Sequence, residues 1–116
     1  MDPLWAEFHT HATGHRADPD ELDDVLGCAR QHLDAVAVLC YPFEYERRGD
    51  GGGVVDESTG TRPAFEADWE RVNEASREHH DPGAFVTFPG YEWHGDRTRW
   101  GDHNVLYRSE GGPLDD

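Results

Sequence analysis

The run Ala35-Val36-Ala37-Val38-Leu39-Cys40 constrains the fold more than any other stretch of the chain. It is apolar at every position, where a strand with one wet face would alternate. An unbroken apolar run predicts a strand covered on both faces, as in a parallel sheet with helices outside. Ahead of it, Leu4, Trp5, Ala6 and Phe8, interrupted only by Glu7, read as a short, largely buried strand. A helix is expected between the two. Asp18 can cap it, Pro19 suits the first helical position, and Glu21 stands where a capping box needs a carboxylate. Leu22, Val25, Leu26, Ala29 and Leu33 then fall on one helical face. Gly27 weakens this helix but would allow close packing on a sheet, and Cys28 is expected to be a buried small residue. Strand, helix, strand is one βαβ unit.

The remainder continues the pattern. Pro42 breaks the second strand. Residues 44–60, with Gly49, Gly51, Gly52 and Gly53, read as a glycine-rich inserted loop without a core, either a bland surface loop or a cover for a pocket. A helix capped by Ser58 or Thr61 then runs to about His79, with Phe65, Trp69, Val72 and Ala75 or Ser76 as its buried stripe. His79 and His80 fall at its C-terminus, where capping and surface roles are expected. Asp81-Pro82-Gly83 is a turn, and Ala84-Phe85-Val86-Thr87-Phe88 a third apolar strand that stops at Pro89-Gly90. Asn104-Val105-Leu106-Tyr107 is a further short edge or hairpin strand, preceded by His103, and the tail from Glu110 has turn composition. The fold class is α/β, with three to four strands and two covering helices.

Charge bears on function more than on fold. The chain has 116 residues, 25 Asp+Glu and 10 Lys+Arg, all ten of them arginine, for a formal net charge of −15. Only 35% of residues are hydrophobic, a balance that suits either disorder or a folded protein in a very salty interior. The apolar runs and four Trp favour the folded reading. No basic stripe is available to neutralise phosphates, so nucleic-acid binding is not expected. Cys28 and Cys40 do not form the pattern of a disulfide-stapled domain. With no signal peptide and no run of transmembrane length, a cytoplasmic location is expected.

In α/β sheets the C-terminal strand ends carry the chemistry. His9, His11, Cys40, Tyr41 and Glu92 are therefore expected on one rim, with His103 beside them and His15 in the first loop. His9 and His11, two apart on extended backbone, point to the same side, which fits a metal site or ordinary surface histidines. Several imidazoles with a carboxylate suit Zn²⁺, Mn²⁺ or Fe²⁺, ions that acidify bound water and polarise a phosphoryl or carbonyl oxygen. The chain contains no HExxH, no CxxC and no phosphate-cradling glycine loop.

His9-Thr10-His11, the helix opened by Pro19 and the DAVAV strand resemble the N-terminal half of the PHP (polymerase and histidinol phosphatase) metal-dependent phosphoesterase superfamily. FVTFPGYEWHG followed by GDHNVLYR resembles an uncharacterised, domain-of-unknown-function branch of it, and the acidic, lysine-free composition fits a halophilic archaeal member. The resemblance covers residues 4–107. It implies a distorted (β/α)₇ barrel with two or three divalent metal ions at its C-terminal rim. His9 and His11 match the opening metal pair, Glu92 a bridging carboxylate, His103 a later ligand and His15 a further histidine used by some members. Cys40-Tyr41 stands where active members carry Asp-His; the Cys could hold a soft ion such as zinc. The closing histidine and Asp-x-His ligands of the family have no counterpart in the chain.

The expected whole is residues 1–116 as the N-terminal part of a PHP-like hydrolase domain, hydrolysing a small phosphorylated or otherwise hydrolysable substrate by a metal-activated hydroxide. No side chain is assigned as general acid. Two alternatives stay open: a degenerate, non-catalytic metal-binding or scaffold module, and an acidic α/β domain with incidental histidines. Three or four strands cannot close a barrel, so a missing C-terminal half or self-association is expected to cover the open edge.

Overall fold

The computed structural model describes residues 3–11, 22–41, 43–46, 56–59, 62–94 and 99–114. In chain order the elements are β1 (Ala6–His11), α1 (Leu22–Ala29), β2 (Ala35–Cys40), β3 (Phe43–Glu46), β4 (Asp56–Thr59), α2 (Arg62–His79), β5 (Val86–His94) and β6 (Asp102–Leu106). The larger sheet has the order β1-β2-β5-β6, with β1, β2 and β5 parallel and β6 antiparallel to β5. β3 and β4 pair antiparallel as a separate ribbon inside the stretch expected to be a structureless loop. The glycines between them lie outside the described residues, as does the expected cap of α1 at Asp18 to Glu21.

The apolar run behaves as its composition requires. Val36, Ala37, Val38, Leu39 and Cys40 are all at most 1% exposed. Period-two alternation sends Val36, Val38 and Cys40 to one face, where they pack with Leu22 and Leu26 of α1 and Phe65, Trp69, Val72 and Ala75 of α2. Both helices therefore cover the same face. The opposite face is closed by curvature of the sheet. β1 and β6 are the two edge strands, three strand spacings or about 14 Å apart in a flat sheet. Yet the Asn104 side chain of β6 donates to the Phe8 carbonyl of β1 at 3.1 Å. The sheet is thus a curled half-barrel, concave on the side away from the helices.

Strand starts are tied together by Asp34. Its carboxylate accepts the Trp5 N–H at 2.8 Å, its own N–H donates to the Trp5 carbonyl, and its carbonyl accepts the Val86 N–H. The Asp81-Pro82-Gly83 turn forms as expected, with Gly83 at φ 95° and Asp81 bridged to Phe85. His79 reaches Asp23 of α1 at 3.0 Å, joining the two helices at the surface.

Several expectations are corrected. β1 and the residues leading into it are not buried: Leu4 is 82%, Trp5 64% and Phe8 48% exposed, because β1 is an edge strand and, among the described residues, no helix covers it. Pro89 does not end the third strand. It sits inside β5 opposite Val38, and on the other side its carbonyl accepts the Tyr107 N–H. Tyr107 follows the last residue of β6, so the donor that proline lacks falls at the end of the ladder. Cys28 is exposed. Gly27 makes no close approach, since a Cβ there would meet nothing within 4 Å. Gly27→Ala is accordingly expected to stabilise the fold by about 1 kcal/mol, the helix-propensity difference, as read from denaturant midpoints. The tail is also more than a turn. Gly111 N–H donates to Asn73 at 2.9 Å, Glu110 pairs with Arg77 at 2.9 Å, and Tyr107 O–H donates to the Pro113 carbonyl, so the chain end lies along α2.

Candidate functional site

The concave face is assembled by one irregularity and one hairpin. In β1, Glu7 pairs with Val36 but Thr10 with Val38, so three steps on one strand match two on the other. This bulge places both Phe8 and His9 opposite Ala37 and re-aims the strand end. Phe8 meets Phe88 with ring centroids 6.2 Å apart. In the β5–β6 hairpin Glu92 stands directly opposite Asn104, and Gly90 opposite Leu106. Directly opposed residues share a face, so Glu92 and Asn104 project to the concave side. Glu92 is 6% exposed.

Asn104 joins this pair to His9. Its amide nitrogen lies 3.1 Å from the Phe8 carbonyl and 2.9 Å from His9 Nδ1. A carbonyl only accepts, which sets the nitrogen end of the amide there. The second amide hydrogen then serves Nδ1, and a neutral His9 carries its proton on Nε2. The face thus holds a buried carboxylate and an imidazole of defined tautomer, with Leu39, Phe88 and Leu106 as apolar surroundings.

The other expected members are placed elsewhere. Cys40 has the parity of Val38 and lies in the helix-side core, 0% exposed. Burial pushes its thiol well above the ordinary range, and the Asp68 carboxylate acts in the same direction. A protonated thiol facing the helices is not a ligand for an ion on the concave side. His103 is paired with Trp93, one step out of phase with Glu92. Its ring lies 5.8 Å from that of Trp93, and Nε2 donates to the Trp100 carbonyl at 2.8 Å. It occupies the helix-side face and is exposed. The side chain of His11 and the whole of His15 lie outside the described residues. Sequence reasoning picks out His103 and passes over its neighbour Asn104. The signal available was hairpin parity, which brings only one of two adjacent residues level with Glu92.

The expected zinc, manganese or iron ions are therefore corrected: among the described residues no group of three or more His, Cys, Asp or Glu is placed to hold a metal ion. Of the four imidazole, thiol and carboxylate positions whose side chains are described, His9 and Glu92 are on the concave side and Cys40 and His103 are not.

Cys40 also carries a pH dependence. In the unfolded chain its thiol ionises at the ordinary value of about 8.5. In the fold that ionisation is suppressed. The stability it contributes is full below about pH 8.5 and is lost as pH rises above it, at up to about 1.4 kcal/mol per unit. Cys40→Ala is expected to be less stable at neutral pH but to lack this alkaline slope. Denaturant titrations of both proteins from neutral pH to about 10 check the difference.

The fold and face together define an α/β half-barrel with a polar concave site. Residues 29–115 match the family described as a protein of unknown function (DUF3604), and the chain belongs to that family. No curated protein and no solved structure matches the chain significantly. Among the described residues, no helix is long and apolar enough to cross a membrane.

Proposed function

We propose that this chain is a hydrolase-type half-barrel of the PHP kind, which its HxH, GYEW and DHN segments resemble, and that it acts as a scaffold module. It holds His9, Asn104 and Glu92 on one concave face and does not turn over a phosphoester by itself. The observation that carries this reading is the split of the expected site across the sheet: His9 and Glu92 share the concave side, whereas Cys40 and His103 belong to the helix side. A site divided in this way holds a substrate group without completing its chemistry. The exposed edge strands β1 and β6 support further strands, from a second copy or additional chain, as the means of closing the barrel. The ligand class proposed for the completed site is a small phosphorylated substrate.

The test uses 4-nitrophenyl phosphate and bis(4-nitrophenyl) phosphate in concentrated KCl. The scaffold reading expects the same background rate for the natural chain, His9→Ala and Glu92→Gln. A second reading, hydrolysis by this face in its own right, is favoured by the deep burial of the Glu92 carboxylate. A turnover that falls at least about tenfold in Glu92→Gln would establish it and remove the scaffold reading. Nitrogen shifts of the His9 ring report the site independently: a neutral Nε2–H tautomer is expected, lost in Asn104→Ala.

A further inference from the structure

On the helix side of the sheet, the end of α2, the first half of β5 and the segment after β6 enclose a cleft of about 210 Å³. That is the space of roughly seven water molecules. Its charge runs against the rest of the chain. With 25 acidic residues against ten arginines overall, two of the ten, Arg77 and Arg108, line this one cleft. Glu110 is the carboxylate in the lining, and Arg77 already engages it at 2.9 Å, with Glu74 a further 3.8 Å contact of the same guanidinium. Arg108 makes no ion pair or hydrogen bond among the described residues.

The uncharged groups are donors as well. His80 Nδ1 accepts the Thr87 N–H at 3.2 Å. The Thr87 hydroxyl lies 3.3 Å from the same nitrogen but gives its hydrogen to the Ser76 carbonyl at 2.6 Å. Nδ1 is therefore an acceptor, and a neutral His80 presents an Nε2–H. Ser76 lines the cleft at 3% exposure, and its Oγ is buried with no hydrogen-bond partner among the described residues. A buried hydroxyl without a partner is unfavourable, because its lost hydration is not replaced.

We infer that this cleft binds a tetrahedral oxyanion, a phosphate ion or the phosphoryl group of a phosphomonoester. Arg108 is its principal cation, through the planar fork that matches two phosphate oxygens at once. His80 Nε2–H supplies a further donor, buried Ser76 forms the floor, and the Arg77–Glu110 pair forms one wall. The site is separate from the concave face, on the opposite side of the sheet, and does not depend on the hydrolase-type reading.

Inorganic phosphate titrated into the full chain at constant ionic strength, with chloride as the comparison ion, tests this. The readout is the nitrogen–proton signals of Arg77, His80, Thr87 and Arg108. Saturable shifts confined to these residues are expected, with affinity at least tenfold lower in Arg108→Gln at an unchanged melting temperature. Arg108 is exposed and holds no partner among the described residues, so that variant is expected to fold. Phenyl phosphate in parallel separates the two sources: tighter binding than inorganic phosphate assigns the cleft to a phosphomonoester, and equal binding to the free ion. Shifts that grow linearly and match those from chloride overturn the inference, as does an Arg108→Gln affinity equal to that of the natural chain.

Discussion

Gly90→Val is expected to destabilise the fold by at least about 3 kcal/mol, the upper end of what overpacking a core costs. Even the first added atom is too close: a Cβ at this position would lie 2.5 Å from the Val105 carbonyl oxygen, 2.7 Å from Leu39 Cδ2 and 2.8 Å from Leu106 Cδ2. The two leucine methyls can give. The carbonyl belongs to β6 and retreats only if the β5–β6 ladder opens. Gly90 thus has no special backbone angle to protect; its role is the close approach of β2, β5 and β6. The variant also reaches the concave face. Asn104 is held level with Glu92 by this same hairpin, so displacing β6 draws its amide away from His9. The expected result is a large fall in denaturation midpoint together with loss of the His9 Nε2–H signature. A midpoint loss worth under about 1 kcal/mol would sink the argument.

Trp69→Ala is expected to cost about 3–5 kcal/mol, the range for deleting a large buried aromatic. Trp69 is 9% exposed and sits at the centre of a ring cluster, 6.1 Å from Tyr91 at 85° and 5.8 Å from Tyr107 at 60°. Phe65 adds an edge contact to Tyr91 at 6.3 Å. Through Tyr91 the cluster fastens α2 to β5, and through Tyr107 it fastens the tail, because the Tyr107 ring lies against Gly112 and its hydroxyl reaches Pro113. Loss of the indole therefore loosens helix, sheet and tail together. In a domain with a total stability of about 5–15 kcal/mol this is a large fraction. Trp69→Phe, which keeps a ring, is expected to recover more than half. The measurement belongs in concentrated salt, where the repulsion among fifteen net negative charges is screened and the packing loss is read alone. An Ala variant within about 1 kcal/mol of the natural chain would show that Tyr91 and Tyr107 do not depend on the indole.

Local periodicity was the readable part of the chain. The stripe Phe65, Trp69, Val72, Ala75 and Ser76 is buried as its spacing requires, and the all-apolar run at 35–40 became a strand covered on both faces. The final hairpin strand, expected over Asn104–Tyr107, formed over Asp102–Leu106. These features follow from covalent geometry, because the 3.6- and two-residue periods are set by the backbone itself. The apolar look of Leu4, Trp5 and Phe8 was a poor guide, since hydrophobicity does not say whether a strand is central or at an edge. Pro89 misled for the same reason: its missing donor faces Tyr107 at the end of the β6 ladder, where one absent bond does not interrupt the strand.

The candidate site shows the division most sharply. From sequence alone come the βαβ start, the two helices and the gathering of His9, Cys40 and Glu92 toward one end of a parallel sheet. Tertiary structure alone decides which face each takes. A one-residue bulge in β1 turns Phe8 and His9 together to the concave side, and β2 parity sends Cys40 to the helices. Register in an antiparallel hairpin selects Asn104 over His103 as the neighbour of Glu92. A side chain's face flips with every single-residue step of register, and register is fixed by pairing with residues far away in the chain. Reaching a common rim is thus a local property of the sequence, whereas meeting at a common site is a property of the folded sheet.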